Sequence, residues 1–210
     1  MSAAAHLAAR FHIKLCGLRH PSHIQAALQA GATLVGLNFA PRSRRHLTLA
    51  QGASLAALLP ENAGVAVFQD APLQVVLNTI HATGLRNVQL HGTIADGLLD
   101  ALPHHVQVVR ALGSAQSAVP HPRITAWLLD SPRPGSGTLR TAPFPGATLH
   151  SLPVLLAGGL NPDNVGHAVR AHAPAGVDVA SGIEGSDRQP HPQRIHAFVH
   201  AARAAALEAL

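Results

Sequence analysis

The feature that most constrains the fold is the alternation of short apolar runs with segments of helical pattern along the whole chain. The runs lack a strict apolar–polar alternation, which is typical of strands buried on both faces of a parallel sheet. Eight strands are predicted, at 11–15, 33–38, 63–68, 87–90, 106–111, 126–130, 153–157 and 177–180. Helices are predicted between and after them, at 21–30, 48–59, 72–83, 94–102, 162–172 and 191–208. This order indicates an α/β protein with a (β/α)8 TIM barrel rather than an open sheet.

The length of the chain limits how such a barrel is built. At 210 residues the chain is close to the lower limit of about 200 residues for the fold, so some connections must be short. Segments 113–125 and 131–152 are rich in Pro, Gly and Ser and show little helical periodicity. We therefore expect helices 5 and 6 to be short or irregular. No linker divides the chain, so we expect a single barrel domain over 11–210, after a disordered N-terminal extension at 1–10.

The composition excludes several classes of protein. A single cysteine cannot form an internal disulfide and fits a reducing compartment, so we expect a cytoplasmic protein. No apolar run approaches the roughly 20 residues of a membrane-spanning helix, and the first ten residues lack the pattern of a signal peptide. We therefore expect no membrane partner.

The charged residues favour a small anionic ligand. The net charge is +5, and the arginines are scattered apart from one cluster within 42–45. No aromatic ladder accompanies that cluster, so nucleic acid is not an expected partner. Arginine recognises carboxylates and phosphates through paired donors. The sixteen histidines form no zinc-binding motif, and we expect no metal.

The predicted active site lies at the C-terminal ends of the strands, where TIM barrels carry it. Polar residues and glycines gather at these ends, namely Lys14, Cys16, Asn38, Arg45, Gln89, His91, Asp130, Gly158, Gly159, Ser181 and Gly182. Backbone N–H groups in the turns after strands 7 and 8 are the usual phosphate site of a barrel. The glycines there are also compatible with simple tight turns. Two glycine-containing turns after successive strands favour phosphate.

Cys16 and Asp130 each allow a plain structural interpretation. A free cysteine is usually a small buried apolar residue, and a loop aspartate is usually solvated or caps a helix. Placed across the barrel from one another, the two residues suggest instead a general base and a general acid. Arg45 taken alone would be a solvated surface charge.

Six segments carry a resemblance to a known enzyme family. They read KLCGL at 14–18, GLNFAPRSRR at 36–45, VQLHG at 88–92, LLDS at 128–131, LAGGLNPDNV at 156–165 and GVDVASGIE at 176–184. In this order they resemble the motifs of phosphoribosylanthranilate isomerase, which belongs to tryptophan biosynthesis. The resemblance covers nearly the whole chain.

The resemblance implies a cofactor-free Amadori rearrangement of a phosphosugar substrate, N-(5-phosphoribosyl)anthranilate, by a monomer or homodimer. Asp130 would be the general acid that opens the ribose ring, and Cys16 the general base that removes the C2 proton. Lys14 and Arg45 are candidate neighbours to lower the pKa of the Cys16 thiol.

The resemblance also implies how the substrate is bound. Arg45 would pair with the anthranilate carboxylate. The phosphate would lie on backbone N–H groups of Gly158, Gly159, Ser181 and Gly182. We further assign Lys14, Gln89 and His91 to substrate binding.

The chain also departs from the family pattern. After the acid, the family usually carries a glycine-rich stretch that ends in Phe-Asp-Trp, whereas 135–140 reads GSGTLR here. Arg44 stands where proline is common. Two alternatives stay open, a related histidine-pathway isomerase and a non-catalytic phosphate-binding barrel. The histidine-pathway enzyme has aspartate in place of Cys16 and takes a substrate with two phosphates.

Overall fold

The computed structural model describes residues 11–113, 118–130 and 152–208. Its eight strands are parallel and form a closed barrel in chain order. They are β1 (His12–Cys16), β2 (Leu34–Asn38), β3 (Gly64–Gln69), β4 (Asn87–His91), β5 (Gln107–Leu112), β6 (Ile124–Leu129), β7 (Val154–Leu156) and β8 (Gly176–Val179). Strand β8 closes the barrel on β1, with Lys14 opposite Asp178. The predicted barrel is confirmed, and each strand lies within two residues of its predicted bounds.

Six α-helices lie in the described part of the chain. They are α1 (Pro21–Ala30), α2 (Leu49–Ala56), α3 (Leu73–Thr83), α4 (Leu98–Ala101), α5 (Val165–His172) and α6 (Pro192–Glu208). Local sequence explains their ends: α1 stops at Gly31, whose φ is 90°, and α2 starts after a capping box formed by Thr48 and Gln51. None of the described helices is long and apolar enough to cross a membrane.

Three helices are shorter than predicted by more than one residue. The helix predicted at 48–59 spans only Leu49–Ala56. Only Leu98–Ala101 of the predicted helix 94–102 is helical, because Gly97 adopts a φ of 72°, which a helix interior does not allow. The predicted helix 162–172 begins at Val165, because the Asn161 side chain accepts hydrogen bonds from the backbone N–H groups that follow it. Residues 118–123 form no helix, as expected for a short connection. The predicted helix 6 region at 131–151 and the extension at 1–10 lie outside the described residues.

The strands place their side chains alternately inside the barrel and against the helices. The apolar residues of the interior form one small cluster, Cys16, Leu34, Val65, Val67, Val109, Ala111, Ala126, Leu128 and Leu155. Outside the barrel, buried apolar residues form a larger cluster with the helices and a smaller one around Trp127. Because residues two apart on a strand share a face, Lys14 lies one layer below Cys16. Gln89 lies in the same way below His91.

Candidate active site

A cavity of about 370 Å³ opens at the C-terminal ends of the strands. Nine of the residues predicted at the strand ends line it, namely Cys16, Asn38, Arg45, Gln89, His91, Asp130, Gly158, Gly159 and Ser181. Arg44 and Asp178 line it as well. Of the predicted residues in the described part of the chain, Lys14 and Gly182 are not on the cavity surface. In the same part of the chain, no cluster of three or more His, Cys, Asp or Glu side chains could hold a metal ion.

Lys14 lies beneath the cavity and is paired with Asp178. Its side chain is 1% exposed, and the distance from Nζ to Asp178 Oδ1 is 2.9 Å. The pairing follows from the strand register, which sets these two residues side by side on β1 and β8. Burial lowers the pKa of Lys14, but the neighbouring Asp178 and Cys16 outweigh it and hold that pKa above its usual value. The ammonium therefore stays charged, and it has a fixed partner.

Gly36 on β2 leaves room for the Cys16 thiol and the Lys14 ammonium together. A Cβ at position 36 would lie 2.7 Å from Cys16 Sγ and 3.0 Å from Lys14 Nζ. Both distances are shorter than van der Waals contact, so a larger residue would displace one of the two groups. The absence of a side chain at Gly36 thus keeps thiol and ammonium adjacent.

Burial makes the Cys16 thiol hard to ionise. Burial raises its pKa, the Lys14 ammonium lowers it, Asp178 raises it, and Arg45 lowers it. The balance is a raised pKa, because the cost of burying a thiolate exceeds the help of the two cations. Lys14 and Arg45 each lower the pKa of the thiol, as predicted. The thiol pKa nevertheless stays above its usual value, because burial, the largest contribution, together with Asp178 outweighs both cations.

His91 and Gln89 form a neutral polar pair on β4. Their Nε2 atoms are 2.6 Å apart. Burial and the nearby Lys14 lower the pKa of His91 to about 4, so the ring is neutral near neutral pH and accepts the amide N–H of Gln89. Gln89 Oε1 has no hydrogen-bond partner among the described residues and is buried. The pair offers hydrogen bonds to a ligand but no positive charge.

Asp130 follows β6 and shares the cavity with Cys16. Its backbone N–H still donates to Leu112 O at 3.0 Å, so the sheet holds the residue in place. The side chain is half-buried. The segment after it, including the departure at 135–140, lies outside the described residues.

Arg45 is held from one side by Glu184. Its Nε donates to Glu184 Oε1 at 2.8 Å, and its Nη2 lies 2.7 Å from the same oxygen. The aliphatic part of the Arg45 side chain packs on Gly17, where a Cβ would overlap Arg45 Cδ. Gly17 also adopts a φ of 78°, a conformation that glycine favours. These contacts aim the guanidinium at the cavity.

Two glycine turns meet where the phosphate site is predicted. Gly158 and Gly159 have φ values of 83° and 72°, and the side chain of Asn164 donates to Gly159 O at 3.0 Å. A Cβ on Gly182 would overlap Leu160 O, so the turn after β8 packs directly on the turn after β7. Neither the Gly158 nor the Gly159 N–H donates to a backbone carbonyl within the described residues. Such turns are suited to an anion.

Comparison with known proteins identifies the family. The family model for N-(5'phosphoribosyl)anthranilate (PRA) isomerase matches residues 13–201. An N-(5'-phosphoribosyl)anthranilate isomerase of Streptococcus pneumoniae (strain Hungary19A-6) is 37% identical over 193 residues, which cover 89% of this chain and 93% of that protein. The chain belongs to the PRA isomerase family.

Solved structures of PRA isomerases are similar to this chain. The crystal structure of TrpF from Jonesia denitrificans has a TM-score of 0.77 and 35% identity, and the match covers 93% of this chain and 98% of that one. A PRA isomerase solved with reduced 1-(o-carboxyphenylamino)-1-deoxyribulose 5-phosphate has a TM-score of 0.74 and 25% identity, covering 92% of this chain and 99% of that one. The predicted family, isomerase class and fold are confirmed.

Three residues of this PRA isomerase site were not predicted from sequence. Asp178 and Glu184 stand inside the GVDVASGIE motif, and Arg44 precedes the predicted Arg45. Asp178 could have been found by closing the barrel, since strand β8 must lie beside β1 and every second residue faces inward. Glu184 and Arg44 follow strand ends in loops, where no periodicity predicts a contact.

Proposed function

We propose that the protein catalyses the PRA isomerase reaction of tryptophan biosynthesis by general acid–base catalysis. N-(5-phosphoribosyl)anthranilate is rearranged to 1-(2-carboxyphenylamino)-1-deoxyribulose 5-phosphate. The observation that carries the proposal is that Cys16 and Asp130 line one cavity together with two glycine turns and Arg45. This arrangement supports an acid, a base and a site for each anionic end of the substrate.

In the first step, Asp130 is the general acid. Its protonated carboxyl group donates a proton to the ribose ring oxygen, and the bond between that oxygen and C1 breaks. The nitrogen lone pair forms a double bond to C1, which leaves a cationic iminium ion.

In the second step, Cys16 is the general base. The thiolate removes the proton from C2, the C2 electron pair neutralises the iminium, and the resulting enolamine tautomerises to the ketone. The raised thiol pKa opposes this step before the iminium ion forms, despite the nearby Lys14 and Arg45. The iminium formed in the first step supplies a positive charge next to the thiol and favours its ionised form. The two steps are thereby coupled.

Lys14 acts in this scheme as a positioning residue for the thiolate. It lies beneath the cavity, and its charge is compensated by Asp178 at 2.9 Å. Gln89, His91 and the four phosphate-site residues remain predicted substrate contacts. The cytoplasmic location and the monomeric or homodimeric state also stay predictions.

The test is a turnover assay that follows loss of the fluorescent anthranilate adduct. Cys16→Ser should lower turnover by at least about 10²-fold, because a hydroxyl provides no comparable base near neutral pH. Asp130→Asn should also abolish turnover while binding of the reduced product analogue stays near wild type. Near wild-type turnover in Cys16→Ser, or a change confined to KM in Asp130→Asn, would contradict the assignments. Turnover of the histidine-pathway substrate with two phosphates, without turnover of N-(5-phosphoribosyl)anthranilate, would favour the related histidine-pathway isomerase instead.

A second measurement tests the role of Lys14. Because Cys16 is the only cysteine, alkylation by iodoacetamide reports its ionisation alone. Lys14→Met should slow alkylation near neutral pH, and Asp178→Asn should accelerate it, since the first removes a cation and the second an anion. Equal rates in variants that are folded by circular dichroism would contradict this role.

A further inference from the structure

Arg44 is the one cavity-lining cation that the proposed mechanism leaves unused within the described residues. It lines the same cavity as Cys16 and Arg45, and its side chain is 42% exposed. Its Nη1 donates to Arg188 O at 3.3 Å, and its Nη2 pairs with Glu184 Oε2. The contact with Arg188 O is long for a hydrogen bond and involves a neutral acceptor, so a ligand oxygen can replace it at little cost.

Glu184 organises both arginines from behind the cavity. It is 7% exposed and is not among the residues that line the cavity, whereas Arg44 and Arg45 both are. One carboxylate oxygen is taken by Arg45 and the other by Arg44. The three side chains together carry a single net positive charge. One further carboxylate, supplied by a ligand, would balance it.

The geometry leaves donors of both guanidinium groups for that ligand. Arg45 uses Nε and Nη2 on Glu184, and its Nη1 has no hydrogen-bond acceptor among the described residues. Arg44 has more freedom, because its side chain is more exposed than the 18% of Arg45. A planar carboxylate can accept from two guanidinium groups at once.

We propose that Arg44 shares with Arg45 the recognition of the aromatic carboxylate of the substrate, and is thus a specificity-determining residue. The inference rests on the proposed function for the identity of the substrate. Arg44 would therefore favour a substrate whose aromatic ring carries a carboxylate over the same compound without that carboxylate. Arg44 contributes to binding and not to the proton transfers, so it affects KM more than kcat.

The experiment measures whether Arg44 and the ligand carboxylate act together. Reduced 1-(2-carboxyphenylamino)-1-deoxyribulose 5-phosphate and the same compound without the carboxylate are titrated calorimetrically into wild type, Arg44→Ala, Arg44→Lys and Arg42→Ala. Arg42 is the matched control, because it is exposed, has the same side chain and is not a cavity-lining residue. Turnover of N-(5-phosphoribosyl)anthranilate is measured on each variant in parallel.

We expect Arg44→Ala to weaken the carboxylated ligand about 10- to 150-fold, as loss of a charged hydrogen bond does. Binding of the ligand without the carboxylate should change less than twofold, Arg44→Lys should recover part of the loss, and Arg42→Ala should resemble wild type. Equal weakening of both ligands by Arg44→Ala, no weakening of either, or an equal loss in Arg42→Ala would overturn it. Failure of wild type to turn over the substrate would instead overturn the proposed function, since the binding comparison does not depend on turnover.

Discussion

Two groups of ion pairs lie at the same end of the barrel and differ in their surroundings. Lys14 and Asp178 form the interior pair, with side chains 1% and 10% exposed. Arg44, Glu184 and Arg45 form the rim cluster, with exposures of 42%, 7% and 18%. The interior pair joins two adjacent strands, whereas the rim cluster joins the loops after β2 and β8.

The two groups differ in solvent access, so the interior pair keeps its partners while a ligand can reach the rim cluster. A buried ion has no water to replace a lost partner, so removing one member of the interior pair leaves the other charge uncompensated and destabilises the barrel. At the rim, water and ligand oxygens can replace the partners of the exposed Arg44, so its ion pair contributes little to stability. The same chemical groups therefore support the fold in one place and recognition in the other.

The largest expected effect comes from breaking the interior pair. Lys14→Met should lower the free energy of unfolding by about 3–5 kcal/mol, because it leaves the Asp178 carboxylate buried without a partner. Urea unfolding followed by circular dichroism measures the change. The double variant Lys14→Met with Asp178→Leu removes both charges and should recover much of the loss. A change below about 1 kcal/mol in Lys14→Met would mean that the interior pair behaves like a rim pair.

The next largest effect concerns His91, the titratable ring beside the interior pair. Its pKa is about 4 in the folded protein and 6.5 in the unfolded chain, so the unfolded state binds the extra proton first as pH falls. The stability contributed by neutral His91 is complete above pH 6.5 and is lost as pH falls towards 4, by about 3 kcal/mol in total. Urea unfolding at several pH values should show a smaller acid loss in His91→Gln than in wild type. If the free energy of unfolding fell equally with pH in both proteins, the burial of a neutral His91 ring would be contradicted.

At the rim, the expected effect is on ligands. Arg45→Ala should weaken the reduced product analogue by roughly 1.5–3 kcal/mol, the range for a charged hydrogen bond. It should leave binding of inorganic phosphate nearly unchanged. Gly159→Val should weaken inorganic phosphate and also the analogue, which carries a phosphate, because a side chain there blocks the turn and does not tolerate its φ of 72°. Titration of both variants with both ligands tests this separation, and equal damage to both ligands by Arg45→Ala would refute it.

The smallest expected effect is on stability at the rim. Arg44→Ala should lower the free energy of unfolding by at most about 1 kcal/mol, since its ion pair is exposed and Glu184 keeps Arg45 as a partner. The same urea experiment measures it beside Lys14→Met. A loss as large as that of the interior variant would remove the distinction between the two groups.

Several site residues could be predicted because their positions follow from local sequence. Cys16 and Asp130 end or follow apolar strands, and the TIM barrel carries its ligand at those ends. Their partners could not be predicted in the same way. Asp178 is 164 residues from Lys14, and Glu184 is 139 residues from Arg45. Only barrel closure brings such distant residues into contact.

The sequence by itself determined the strand order and the barrel. It also determined that the ligand-binding residues stand at the C-terminal ends of the strands. These features could be predicted because apolar runs, helix caps and glycine turns are local properties of the chain. The tertiary structure decided the ionisation of those residues. The Cys16 thiol has two cations nearby, yet its pKa is raised, and the His91 ring is neutral near neutral pH. Both outcomes depend on how far water is excluded and on which charges lie across the barrel. These quantities are set by packing between distant strands.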